Sequence, residues 1–237
     1  LQPYKRIILK LSGEALEDED GKGISNTTLN NLAFQIKELF LSGIEVGIVI
    51  GGGNILRGAE AEKLGIDRAT GDYMGMLATI INALAIQNAL LKLGVDARVM
   101  SSFTIPEVAE PYILAKAQAH FSKKRIIIFA GGTGLPFFTT DTTAALRALE
   151  LKADALFKAT KVDAIYSEDP TKNANAIRYE TITYTEFLLK NLKVMDATAV
   201  SLCRDFKLPI ILFSIKGENM LLKAVLEGKV GTIIKED

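Results

Sequence analysis

Glu45-Val46-Gly47-Ile48-Val49-Ile50-Gly51-Gly52-Gly53 and Ile126-Ile127-Ile128-Phe129-Ala130-Gly131-Gly132-Thr133-Gly134 decide the fold. Each is a short apolar run that ends in glycines. The second run has the near-continuous apolar character of a parallel strand covered on both faces. Backbone amides in such loops, bare of side chains, can converge on an anion. Yet neither loop carries a common phosphate signature. No G-x-x-x-x-G-K-[ST] occurs, and the nearest fragment, Gly21-Lys22-Gly23, lacks the upstream spacing. Neither loop fits G-x-G-x-x-G. If these loops hold nucleotide phosphates, they do so by a third solution.

Outward from these two runs, strand and helix patterns alternate. Arg6–Leu11 is a short β-rich run. Residues 28–41 carry Leu29, Leu32, Ile36, Leu39 and Phe40 at helical spacing, and Ser42-Gly43 ends them. Residues 72–93 read as a long helix, apolar nearly all round and therefore buried, ended by Gly94. Strands follow at 95–100 and 125–130, a helix at 141–151, and strands at 155–159 and 163–166. A loop rich in Pro, Asn and charge covers 167–175. Helices at 184–192 and 196–206, a strand at 209–214, a helix at 218–227 and a last strand at 231–234 complete the chain. The expectation is an α/β fold, a three-layer α/β/α sandwich around a mostly parallel sheet. It forms one domain over 1–237, with no repeat, low-complexity tract or linker. Ligands in such sheets sit beyond the carboxyl ends of the strands, where all the glycine loops fall.

Composition removes several function classes. The 28 basic and 28 acidic residues cancel, which argues against nonspecific nucleic-acid binding. Lys123-Lys124-Arg125, the one basic cluster, reads as a solvated lead into the next strand. Cys203 is the single cysteine and His120 the single histidine, so one chain holds neither a disulfide nor a Cys/His zinc site. His120 ends a helical pattern with no nucleophile elbow anywhere, and reads as structural. Cys203, on an apolar helical face, reads as core. No apolar run reaches 18 residues and no signal pattern opens the chain, so a soluble cytoplasmic protein without membrane contact is expected. Leu1 at the first position leads us to expect a short native segment ahead of it.

Candidate chemistry gathers in five places. Lys10 lies in Leu9-Lys10-Leu11-Ser12-Gly13, where it can point harmlessly off a strand or reach the phosphates of a nucleotide. Three consecutive glycines at 51–53 cost backbone entropy where an ordinary turn needs one, which favours close ligand approach. The Arg57 fork suits a phosphate, although a surface arginine has the same sequence signature. Asp72, Asp141 and Asp196 each stand at a helix start and can act as caps; Asp72 can instead accept ribose hydroxyls. Thr133-Gly134-Leu135-Pro136-Phe137-Phe138-Thr139-Thr140-Asp141 joins small donors, two aromatics and a helix start, which suits a planar ring and a phosphate. Lys158-Ala159-Thr160-Lys161-Val162-Asp163 and Tyr166-Ser167-Glu168-Asp169-Pro170 can hold ATP and Mg²⁺, or form only a charged loop.

Taken together, these segments resemble the bacterial uridylate kinases of the amino acid kinase family. The resemblance runs from Tyr4-Lys5-Arg6 through Lys10-Leu11-Ser12-Gly13-Glu14-Ala15-Leu16, then Gly51-Gly52-Gly53-Asn54 with Arg57-Gly58. It continues through Gly71-Asp72-Tyr73-Met74-Gly75-Met76-Leu77-Ala78-Thr79, residues 134–141, residues 158–163 and Lys193-Val194-Met195-Asp196. It spans nearly the whole chain, in order, and accounts for the missing P-loop. It implies an amino acid kinase-like fold and the reaction MgATP + UMP → ADP + UDP in pyrimidine nucleotide biosynthesis. The acceptor half is then roughly 1–150 and the ATP half roughly 151–237.

The resemblance also implies roles. Lys10, Leu11, Ser12, Gly13 and Gly53 embrace the ATP phosphates. Gly52 and Arg57 hold the UMP phosphate and the phosphoryl in flight. Asp72 binds UMP, and Thr133, Gly134, Leu135, Pro136, Phe137, Phe138, Thr139 and Thr140 line its pocket. Thr160, Tyr166 and Asp169 take the adenosine side. Asp196 is the acid that organises the catalytic lysine. Mg²⁺ arrives with ATP, and no protein metal ligand is assigned. Relatives are homohexamers, activated by GTP and inhibited by UTP. Leu135 stands where relatives carry Asn, and Gln87 and Leu91 where some place basic residues near the effector site. The alternatives are an amino acid kinase of the same fold, with acetylglutamate or aspartate as acceptor, and a non-catalytic nucleotide sensor or metal-storage scaffold.

Overall fold

A computed structural model describes residues 4–18, 21, 23–56, 58–168, 173, 175–228 and 230–236. In chain order the elements begin with β1 (Arg6–Leu11), α1 (Asn26–Leu41), β2 (Glu45–Ile50), α2 (Gly58–Lys63) and α3 (Arg68–Lys92). They continue with β3 (Ala97–Ser101), β4 (Glu110–Pro111), α4 (Leu114–Ser122), β5 (Ile126–Ala130), α5 (Thr140–Glu150) and β6 (Ala155–Thr160). The short pair β7 (Ile165–Tyr166) and β8 (Arg178–Tyr179) precedes β9 (Thr181–Thr183), α6 (Tyr184–Leu189) and α7 (Ala197–Asp205). The chain ends with β10 (Ile210–Ser214), α8 (Met220–Leu222) running into a π-turn (Lys223–Glu227), and β11 (Thr232–Lys235).

Among the described residues nine strands form one sheet in the order β4-β3-β5-β2-β1-β6-β10-β11-β9. The pairs from β4 to β10 are parallel, and β11 runs antiparallel to β10. Period-two alternation splits the core between the two faces. Ile7, Leu9, Leu11, Phe157 and Phe213 pack with Leu32, Ile36 and Leu39 of α1 and Ile80, Ala83 and Ile86 of α3. Ile8, Val49, Leu156 and Leu212 pack on the other face with Ala144, Ala145 and Ala148 of α5 and Val200 and Cys203 of α7. This is the expected three-layer α/β arrangement. Burial pushes the Cys203 thiol up to about 12, with a smaller push from the Asp196 carboxylate, so it is an inert core group. His120 is also structural: its Nε2 lies 3.0 Å from Glu110 Oε2, and Arg125 faces its Nδ1.

Three expectations need correction. The long helix starts at Arg68, not Asp72, because Asp67 accepts the Thr70 N–H at 3.1 Å and caps it one turn earlier. Asp72 therefore lies inside α3. That helix is not buried all round: Tyr73, Met74, Leu77, Ile81 and Leu91 form an exposed apolar strip. By length and composition α3 could cross a membrane, but half of its most apolar stretch is buried inside the fold. Finally, Thr139 is the cap of α5, and it accepts the Asp141 and Thr142 N–H groups. Asp141 is thereby freed from capping.

The core face under α1 and α3 depends on Phe157. Its ring is fully buried and meets Tyr4 edge-on at 5.2 Å and Phe213 at 6.4 Å between centroids. Phe157→Ala is expected to lower unfolding stability by about 3–5 kcal/mol. Urea denaturation measures this, and a loss below about 1 kcal/mol would mean that the face repacks.

Candidate active site

The sheet register builds the centre of the site. Lys10 of β1 and Lys158 of β6 are direct register partners. Both follow an apolar residue two positions earlier on the same face, Ile8 and Leu156. Two ammonium groups therefore stand side by side at the carboxyl ends of adjacent strands. Each residue is more than nine-tenths buried. Unpaired, two such charges would be untenable.

Asp141, in the first turn of α5, resolves this. Its Oδ2 accepts from Lys158 Nζ at 2.5 Å. Its Oδ1 lies 2.9 Å from Lys10 Nζ and forms an ion pair with it. Lys158 also donates to the Val194 carbonyl at 2.5 Å. Burial pushes the Asp141 carboxyl upward, but Lys10 and Lys158 together outweigh it and hold it below the usual carboxylate range. Burial lowers the Lys158 ammonium, Asp141 opposes that shift, and Lys10 adds to it. Two cations and one anion leave the trio one positive charge.

The resemblance placed Asp196 beside the catalytic lysine. In the structure Asp141 touches both Lys10 and Lys158, while Asp196 acts on Lys158 through its charge at longer range. Asp196 also caps α7 through the Ala199 N–H at 2.7 Å and accepts the hydroxyls of Thr139 and Thr142. It joins the N-termini of α5 and α7, one step away from the lysines. Asp141 and Lys158 meet at this centre, although sequence reasoning had named them only as members of candidate segments and gave neither a role of its own.

Helix α3 pins both glycine loops. Asn82, fully buried, exchanges amide hydrogen bonds with Asn54 at 2.7 and 3.1 Å and donates to the Gly51 carbonyl at 2.7 Å. Thr79, one turn earlier, accepts the Gly131 N–H at 2.7 Å. A Cβ on Gly52 would come within 2.5 Å of the Gly75 carbonyl oxygen, so only glycine fits against α3 there. A Cβ on Gly53 would meet nothing within 4 Å, because that side opens into a hollow.

That hollow, about 250 Å³, is lined by Gly52, Gly53, Asp72, Phe138, Thr139 and Thr140, together with Gly75, Met76, Thr79 and Gly132. A second groove, about 280 Å³, is lined by Lys10, Ser12, Lys158, Thr160 and their neighbours. Next to it a larger hollow of about 810 Å³ is lined by Val162, Tyr166, Leu192 and Val194. Lys10 lines the groove, and Asp141 follows directly on Thr139 and Thr140 of the first hollow. The trio therefore stands at the junction of the two spaces.

Other expected site residues are placed as follows. Leu11 is buried in the core, and its carbonyl accepts the Gly51 N–H at 2.8 Å. Gly13 packs against Gly53 and Asn54. Asp72 accepts the Phe137 N–H at 2.7 Å and pairs with Arg68 at 2.9 Å. Thr133, Gly134, Leu135, Pro136 and Phe137 form the rim beyond the first hollow. There Thr133 Oγ1 bonds to the backbone of Leu135, and Phe137 is 70 % exposed at φ 71°. Tyr166 donates to Asp163. Arg57 and Asp169 lie outside the described residues.

Comparison with known proteins gives consistent matches. The amino acid kinase family pattern matches residues 5–214. A UMP kinase from Bacillus anthracis is 41% identical, with a TM-score of 0.96 over 100% of this chain and 98% of its own. A UMP kinase from Ureaplasma parvum is 39% identical, with a TM-score of 0.93 over 98% and 99%. A uridylate kinase from Archaeoglobus fulgidus is 27% identical, with a TM-score of 0.75 over 96% and 99%. With its parallel sheet, its glycine loops and a family match over most of its length, the chain belongs to the amino acid kinase family.

Proposed function

We propose that this protein transfers the γ-phosphoryl group of MgATP to UMP, giving ADP and UDP. The observation that carries this reading is the Lys10–Asp141–Lys158 trio at the meeting point of two hollows. Full-length similarity to UMP kinases supports the choice of acceptor. Donor phosphates lie along Lys10, Ser12 and Lys158, with adenosine beside Val162 and Tyr166. UMP occupies the hollow of Gly52, Gly53, Asp72 and Thr139–Thr140, with its base toward Phe138 and the 133–137 rim. We assign the acceptor side mainly to 1–150 and the donor side mainly to 151–237, within one domain. Arg57 keeps its assignment to the transferring phosphate, as does Asp169 to adenosine.

Phosphoryl transfer asks the protein for position and charge rather than covalent chemistry. The attacking UMP phosphate oxygen is ionised at neutral pH, so no general base is required. Asp141, held ionised by two lysines, is too weak a base to serve as one. Its role is to set the spacing of Lys10 and Lys158, which offset the repulsion between two phosphate groups brought into line. Among the described residues no group of three His, Cys, Asp or Glu gathers. Asp141 and Asp196 are already engaged by lysines and threonines. We assign Mg²⁺ to the nucleotide phosphates with which it arrives, whose charge it would neutralise when bound.

The setting follows from the same reading: a cytoplasmic enzyme of pyrimidine nucleotide biosynthesis. The exposed apolar strip of α3 supports a homo-oligomer, for which we propose a homohexamer. UTP, carrying the same base, inhibits from the UMP hollow. GTP activation has less support, because the Gln87 amide is tied to the Ala97 carbonyl at 3.0 Å and Leu91 is apolar. An amino acid acceptor would gain little from Phe138 in the hollow and Phe137 at its rim.

Lys10→Ala is expected to lower kcat by about 10²–10³-fold while the KM for UMP changes only a few-fold. Steady-state kinetics with MgATP and UMP checks this; equal small effects on both would remove Lys10 from the transition state. A second expectation concerns pH. The Asp141 pKa is depressed in the fold, so its stabilisation is fully present above the usual carboxyl pKa. It is lost as pH falls through the lower folded value. The urea midpoints of the wild type and Asp141→Asn should therefore converge as pH falls below 3.8. Midpoints that stay equally far apart in acid would deny the ionised trio.

A further inference from the structure

Lys161 stands on the phosphate groove but outside the trio. It occupies the turn after β6, and Thr160 fixes that turn. The Thr160 hydroxyl donates to the Val162 carbonyl at 2.6 Å and accepts the Val162 N–H at 3.1 Å. The Thr160 side chain, expected to touch ATP, is thus used to present its neighbour. The Lys161 side chain is half exposed, yet it is not loose. Its Nζ lies 2.8 Å from Glu14 Oε2 and 3.4 Å from Glu17 Oε2. These contacts cross from the end of β6 to the 3-10 turn Gly13–Leu16 after β1. They link the two strands whose ends carry Lys10 and Lys158.

Three physical points follow. An untethered lysine loses rotamer freedom when a ligand orders it. At Lys161 two carboxylates have already met much of that cost. An ammonium has three donors, and two of them face Glu14 and Glu17, which leaves one for a ligand. Lys161 lines the phosphate groove and the adjoining hollow of Tyr166 and Leu192, and also a third hollow beside Glu14, Thr28 and Lys216. A group there is placed to meet charge strung between the first two spaces. Glu14 lines the same groove, and alone it would repel a polyphosphate. Glu14 and Glu17 together outnumber the single Lys161 charge, so Lys161 is the cation that offsets them and carries an N–H toward a polyphosphate.

We infer that Lys161 binds the polyphosphate chain of the donor nucleotide, oriented for that contact by Glu14 and Glu17. This deepens the donor-site reading above and rests on it. The test is ATP binding to the full-length protein by calorimetry, without UMP, for the wild type, Lys161→Met and Lys161→Arg. Adenosine, which has the ring and ribose but no phosphate, is measured as a competitor. Lys161→Met is expected to weaken ATP about tenfold, the effect of one charge-assisted bond at a half-exposed site. Adenosine should compete equally well against both proteins, and Lys161→Arg should restore ATP binding to within about threefold of wild type. Unchanged ATP affinity in Lys161→Met would overturn the inference. So would parallel loss of ATP and adenosine, which would mark a structural role. A wild type that binds no ATP would overturn the donor site itself, an outcome distinct from either.

Discussion

One carboxylate between two lysines is the constraint on which the site depends. Parallel pairing of β1 with β6 puts Lys10 and Lys158 abreast on a buried face. Two desolvated ammonium groups repel each other unless an anion stands between them. Asp141 is that anion, and it can be because Thr139 has taken over the capping of α5. Sheet register, helix cap and ion pair therefore form a single arrangement. Asp196 extends it by binding Thr139 and Thr142 while capping α7. Two helix starts and two strand ends are held by two aspartates.

The second half of the site rests on α3. Its polar residues Thr79 and Asn82 are buried in an otherwise apolar helix, and each grips one glycine loop. In a P-loop the amides wrap the phosphate from a single turn. Here two loops from β2 and β5 are locked to one helix, and the lysines come from β1 and β6. The charge for phosphate thus comes from strand ends, and the shape from glycines pressed on a helix. Gly52 shows the pressing directly, since no side chain fits between it and Gly75.

Much of this was legible in the sequence, for reasons of period and composition. Apolar runs ending in glycine mark β2 and β5, and the glycine loops point to an anion, whereas the spacing around Lys10 fits a strand lysine as well as a phosphate contact. What stayed hidden depends on register. An aspartate at a helix start looks the same whether it caps the helix or meets a lysine, so Asp141 and Asp196 could not be told apart. Lys158 sat unremarkably in a charged segment, because its partner Lys10 lies nearly 150 positions away. Asp72 seemed to begin a helix that Asp67 in fact begins. Asn82 and Thr79 did carry a signal, as polar residues on the buried side of an apolar helix. The apolar character of α3 was read as burial, whereas a strip of it faces outward.

The most direct measurement is ADP release by the purified protein with MgATP and one acceptor at a time: UMP, CMP, dUMP, acetylglutamate or aspartate. The account requires fast turnover with UMP and little with either amino acid. Turnover with acetylglutamate or aspartate but not UMP would keep the lysine trio and contradict the nucleotide acceptor. No turnover with any acceptor, in a folded protein that still binds UTP, would contradict catalysis and leave a nucleotide-binding sensor.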